Sequence, residues 1–183
     1  MSKFYAHIKI MRLHQWVKNS FILLPLFFGL KFNQTDTLFE TLFVAFGFSF
    51  LTSAVYMFND SLDIEQDKLH PEKKNRPLAS GTISKNNAYA QILILLCLGS
   101  LIVFFSTNSS IAYYLIGFYL FQNLLYTLRL KHIALLDVFI ISVGFVLRVL
   151  IGGAVSDVEL SSWIVLMTFL LAFFLSIKKG MTT

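Results

Sequence analysis

Apolar and polar positions fall in blocks along this chain rather than alternating. Runs rich in Leu, Ile, Val and Phe cover 38–57, 88–105, 111–128, 133–155 and 160–177, each 18 to 23 residues long. An α-helix needs roughly 20 such residues to cross a hydrocarbon core about 30 Å thick. A shorter run at 21–30, interrupted by Pro25 and Gly29, adds a sixth span. Ahead of it, Lys3, Lys9, Arg12 and Lys18 interleave with Phe4, Ile8, Met11 and Trp16, the pattern of a basic amphipathic helix lying on a membrane surface. That basic region is long, no small-residue cleavage site follows it, and more spans come after. The 21–30 run therefore reads as the first span, not a signal peptide. Asn108-Ser109-Ser110 marks an uncharged turn, and Gly152-Gly153 is expected to loosen the end of the fifth span. The predicted fold is all-α, a polytopic membrane helix bundle forming one domain over residues 1–183.

Composition agrees. The chain is 56% hydrophobic with a mean hydropathy of +0.70, which lipid-embedded helices absorb and an ordinary soluble domain of this size would not. The net charge of +5 does not point to nucleic acid, because the bases sit in short clusters between the spans. Lys and Arg number four at the N-terminus, five across 59–85, two at Arg129 and Lys131, and two at Lys178 and Lys179. The opposite loops hold Lys31 alone, and Arg148 lies inside a span. This bias places both termini and the charged loops in the cytoplasm, on the inner face of a cytoplasmic membrane. The lone Cys97, within an apolar run, is expected to be a small buried hydrophobe.

The most polar stretch follows the second span directly: NDSLDIEQDKLHPEKKNRPLASG, from Asn59 to Gly81. Asp60, Asp63, Glu65 and Asp67 fall within eight residues, and Lys68, Lys73, Lys74 and Arg76 within the next nine. If the helix continues, Asp60, Asp63 and Asp67 share one face, with Asn59 one turn before Asp63. Like charges so placed repel unless a cation sits among them. Oxygen-only ligands favour Mg2+, which keeps several waters and shares its remaining positions with substrate phosphates. The expected metal ligands are Asn59, Asp60, Asp63 and Asp67.

NDxxDxxxD followed by HPEKKNRPLASG resembles the first aspartate-rich motif of the UbiA-type intramembrane prenyltransferase superfamily. HQWVKN at 14–19 and YTLRLKHIALLDVFIISVGFVLR at 126–148 are similar to the branch that contains decaprenyl-phosphate phosphoribosyltransferase. The resemblance implies Mg2+-dependent transfer of 5-phosphoribose from phosphoribosyl pyrophosphate to a polyprenyl phosphate. Asp60 and Asp63 would act at the reacting diphosphate, and Lys18, Arg76 and Lys131 would clamp phosphates. It further implies about nine helices, so the chain, with six, stops short of the last ones and of a second polar motif.

The fifth span carries Asp137 and Arg148, which insertion cost directs toward a bundle interior or cavity. Asp137 is expected near the site as a second metal or ribose contact, or paired with Lys131 or Arg129. Tyr126 is expected either to reach a phosphate or ribose or to anchor at the interface, and Arg148 either to snorkel outward or to line a lipid channel. Two further readings stay open. One is a prenyltransferase moving an isoprenoid from its diphosphate to an aromatic or other acceptor. The other is an inactive, shortened membrane protein that binds anionic lipid. Membrane lipids are expected partners, and the sequence is compatible with a homo-oligomer.

Overall fold

A computed structural model describes residues 3–129 and 134–180, the side chains of residues 3, 134–135 and 178–180 excepted. Its elements are helical throughout: α1 (Lys3–Ile10), a 3₁₀ segment (Leu13–Leu23), α2 (Leu24–Phe28), α3 (Thr35–Leu62), α4 (Ile64–Leu69), α5 (Lys85–Ser106), α6 (Ser110–Leu128), α7 (Ala134–Ser156) and α8 (Ser162–Gly180). Among the described residues, four helices are long and apolar enough to span a bilayer: α3, α5, α6 and α7; 162–177 of α8 is a shorter apolar helix. The five long apolar blocks thus became helices, and their outer faces carry the large apolar side chains, such as Leu93, Leu101, Phe104, Phe118 and Phe121, that lipid would cover. Cys97 is also on an outward face, exposed rather than buried as expected.

The proposed first span differs most. Residues 13–28 form eleven residues of 3₁₀ helix followed by one short α-helix, with Pro25 in its first turn. Such long 3₁₀ runs are uncommon, and tertiary bonds hold this one. Trp16 Nε1 donates to Ser53 Oγ at 2.8 Å, and Asn19 Nδ2 donates to Ser49 Oγ at 2.9 Å and Thr52 Oγ1 at 3.2 Å. The segment is therefore laced to α3 by polar contacts. The N-terminal helix likewise packs inward: Ala6 and Ile10 join a buried cluster with Met57, Ile83 and Ile92, and His7 and Gln91 exchange two hydrogen bonds.

Small residues set the close crossings. The most extensive contact is α3 against α5, where a Cβ on Gly99 would lie 2.8 Å from the carbonyl oxygen of Gly47. This is how membrane helices bring backbones together without a hydrophobic driving force. A Cβ on Gly152 would meet the carbonyl oxygen of Ile22 at 1.9 Å. Gly152 and Gly153 thus do not loosen the fifth span, for α7 runs through them to Ser156. The small size of Gly152 admits the 3₁₀ segment against α7, and that of Gly153 makes room for Leu160.

The two ends of the bundle differ in chemistry. At one end Lys31 Nζ donates to the carbonyl oxygens of Ser156 at 2.9 Å and Asp157 at 2.5 Å, capping α7. At the other end lie the acidic stretch, α4 and the loop that leads into α5.

Candidate active site

Two segments distant in sequence assemble around the end of α3. The helix stops at Leu62, and Asp63 leaves the α conformation at φ −92°, ψ 8° before α4 begins. The break divides the acids instead of aligning them. Asp60 and Asp67 are buried and turn toward Arg76, whereas Asp63 is half-buried and accepts from Asn59 Nδ2 at 3.1 Å. The single helical face expected for Asp60, Asp63 and Asp67 is thereby replaced by two sub-clusters. Glu65 is exposed and pairs with Lys68 at 2.8 Å, which holds its carboxyl below the usual range.

The loop after α4 folds back over this end. Leu78 and Ile83 are buried in the cluster beneath α1, Ala79 is buried beside Leu78 in sequence, and Gly81 takes φ +73°, a backbone angle that suits glycine. Arg76 is thereby carried over the acids, and its Nη1 reaches Asp67 Oδ2 at 2.7 Å and Asp60 Oδ1 at 3.0 Å. His70 is loop structure, its Nδ1 accepting from the backbone N–H of Glu72 at 3.2 Å. Lys73 and Lys74 are exposed.

A second arginine reaches the same carboxylate. Arg12 Nη2 lies 2.5 Å from Asp60 Oδ1, with its guanidinium 5.6 Å from the centre of the Tyr56 ring. Read in sequence, Arg12 was one more base of an interfacial helix. Its 48-residue separation from Asp60 and its left-handed backbone (φ 53°, ψ 50°) left no local signal.

Beside these pairs opens a cavity of about 230 Å³ between α3, α6, α7 and the 3₁₀ segment. Arg12, Lys18 and Arg148 line it with Tyr56, Tyr119, Tyr126, Asn59 and Asn123, and no carboxylate residue is in the lining. Arg148 does not snorkel. It is 3% exposed, donating from Nε to Asn19 Oδ1 at 2.9 Å, from Nη1 to the Gly144 carbonyl at 2.7 Å and from Nη2 to the Tyr119 hydroxyl at 2.9 Å. Among the described residues it has no ionic partner. Such a buried cation is compensated by carbonyl and hydroxyl dipoles and by the Phe48, Tyr119 and Phe145 rings, whose centres lie 4.9 to 5.6 Å away. Tyr126 donates to Asp137 Oδ1 at 2.7 Å, joining α6 to α7 at the cavity mouth. Among the described residues no ion pair joins Asp137 to Arg129, one of the two partners considered for it. Lys131 itself lies outside the described residues.

An apolar groove of about 540 Å³ runs between α3, α5 and α6, lined by Phe58, Ile92, Leu93, Leu96, Leu120 and Leu124 among others. Val55, Asn123 and Thr127 form a wall common to groove and cavity. An amphiphile with an anionic head fits this pairing.

The residues at the end of α3 suit a hard divalent ion. Among the described residues no three His, Cys, Asp or Glu side chains converge as ready-made metal ligands. Yet Asn59 Oδ1 is buried without a hydrogen-bond partner, on a residue that lines the cavity and lies one turn before Asp63. An orphaned amide oxygen flanked by carboxylates is an oxygen-donor set of the kind Mg2+ takes.

Residues 22–179 match the profile of the UbiA prenyltransferase family. Decaprenyl-phosphate phosphoribosyltransferase of Corynebacterium glutamicum is 36% identical over 162 residues, 87% of this chain and 48% of that protein. The enzyme of the same name from Mycolicibacterium smegmatis is 34% identical over 163 residues, covering 87% of this chain and 51% of its own. The chain thus spans about half the length of these relatives. In three dimensions it resembles a UbiA homologue from Archaeoglobus fulgidus bound to DMAPP and Mg2+, with a TM-score of 0.74 at 19% identity, covering 95% of this chain and 62% of that one.

Proposed function

Because the chain belongs to the UbiA prenyltransferase family, we propose that it is an integral-membrane transferase, one that moves 5-phosphoribose from phosphoribosyl pyrophosphate to a polyprenyl phosphate. The observation that carries this reading is the cavity itself, which presents three cations and no carboxylate residue and shares a wall with an apolar groove. A phosphate on a long isoprenoid matches both halves. The identity of 34–36% to phosphoribosyltransferases favours this donor over a prenyl diphosphate.

Asn59, Asp60, Asp63 and Asp67 would hold Mg2+ on the cytoplasmic side. When bound, the ion neutralises charge on the departing pyrophosphate. Lys18 and Arg76 would bind and orient the phosphates, and Lys131 would share that task. Tyr126 and Asp137, bonded to each other at 2.7 Å, would meet the ribose hydroxyls. In the transfer, a phosphate oxygen of the acceptor forms a bond to ribose C1, while the bond from C1 to pyrophosphate breaks and its electron pair leaves with pyrophosphate. The attacking oxygen is already anionic, so no strong general base is required. Holding two anions together is the main barrier, and the cationic lining lowers it.

Membranes containing the chain, given Mg2+, labelled phosphoribosyl pyrophosphate and polyprenyl phosphate, are expected to yield lipid-linked label. Asp60→Asn and Asp63→Asn are each expected to lower the yield at least about 100-fold, the scale of one lost electrostatic group. Label transferred only from a prenyl diphosphate to an aromatic acceptor would establish the prenyltransferase reading instead. Unchanged turnover in both variants would remove the acids from the site.

A further inference from the structure

Asp60 Oδ1 is shared by two guanidinium groups, Arg12 at 2.5 Å and Arg76 at 3.0 Å, and Arg76 bridges on to Asp67 at 2.7 Å. Two buried carboxylates and two arginines make a neutral cluster. A dication added by itself must displace arginines from Asp60 and, even with the carboxylate of Asp63, leaves a net positive charge in a largely buried place, a costly arrangement. A dication that arrives with a diphosphate does not, because the freed guanidiniums then find phosphate oxygens. Arg12 is placed for such an exchange: it borders the cavity with Lys18 and Asn59, and its side chain is 21% exposed while that of Asp60 is 4% exposed. Its backbone sits at the junction of α1 and the 3₁₀ segment, so the side chain can swing without disturbing a helix.

Resting on the donor site read above, we infer that Arg12 is a further donor-binding residue working by partner exchange. It holds Asp60 until metal and diphosphate enter together, then passes to the diphosphate. Metal and diphosphate binding are consequently coupled, and by thermodynamic linkage each strengthens the other by the same factor. A purely structural ion pair would leave only the coupling that direct metal–diphosphate contact supplies, and that part does not depend on Arg12.

The test uses the whole chain in detergent, with Mn2+ and inorganic pyrophosphate as probes, metal binding followed by electron paramagnetic resonance and pyrophosphate binding by calorimetry. In the wild type, pyrophosphate is expected to raise Mn2+ affinity by about 5–150-fold, the usual span of such coupling, and Mn2+ to raise pyrophosphate affinity equally. Arg12→Gln is expected to tighten Mn2+ binding alone, weaken binding of the pair, and lower the coupling factor. Arg12→Lys, which keeps the charge but not the fork, should fall between. Trp16, bonded to Ser53, which in turn bonds the Met11 carbonyl, reports locally. In a Trp163→Phe background its emission should shift on adding Mg2+ with pyrophosphate and not on adding Mg2+ alone. Wild-type binding without coupling, or Arg12→Gln leaving Mn2+ affinity unchanged or weaker, overturns the exchange while sparing the functional reading. Failure of the wild type to bind metal with pyrophosphate at all overturns both.

Discussion

Arg148 shows what a single side chain does when a charge is buried in a membrane bundle. It ties α7 to the 3₁₀ segment through Asn19 and to α6 through Tyr119. Tyr119→Phe keeps the ring but takes the hydroxyl partner from the buried Arg148, so a loss of about 1.5–3 kcal/mol is expected in reversible unfolding in detergent. Arg148→Met additionally strands Asn19 Oδ1 in a buried site, and about 2–3 kcal/mol more should be lost, with weakened binding of polyprenyl phosphate. The charged groups of the Asn59–Gly81 stretch were legible because they are dense and adjoin a span. The partners of Arg12 and Arg148 were not, since they lie 48 and 129 residues away, respectively. Asn59 was expected among the metal ligands from its place one turn before Asp63, and the fold adds that its Oδ1 is buried without a hydrogen-bond partner. No pattern of neighbours along the chain could show that.

The four long spans could be read at the scale of elements because length and hydropathy decide whether a helix crosses a bilayer. The segment before them could not. Its geometry comes from Trp16 and Asn19 bonding Ser49, Thr52 and Ser53, and from the space left by Gly152, none of which alters local periodicity. Cys97 misled for a related reason: an apolar run says that a residue avoids water, not whether it faces protein or lipid. Gly152→Ala is expected to destabilise the bundle by about 1–3 kcal/mol through collision with Ile22, whereas Gly117→Ala, which meets nothing within 4 Å, should be neutral or slightly stabilising. Thermal unfolding of the two variants side by side checks the difference.

For the whole molecule, all sequence assignments of sidedness depend on the acidic end being cytoplasmic. A cysteine at exposed Asn75, in a Cys97→Ser background, should resist a membrane-impermeant maleimide in intact cells and react in inverted vesicles. The reverse pattern would turn the bundle over.

The far end of the bundle has a consequence of its own. There Lys31 grips the last carbonyls of α7, and Ile22 presses against Gly152 with no room to slide. The near end is fastened chiefly by charges that a ligand can borrow. Partner exchange at Arg12 would therefore loosen the bundle at the near end alone, with the Lys31 and Gly152 contacts as the fixed point.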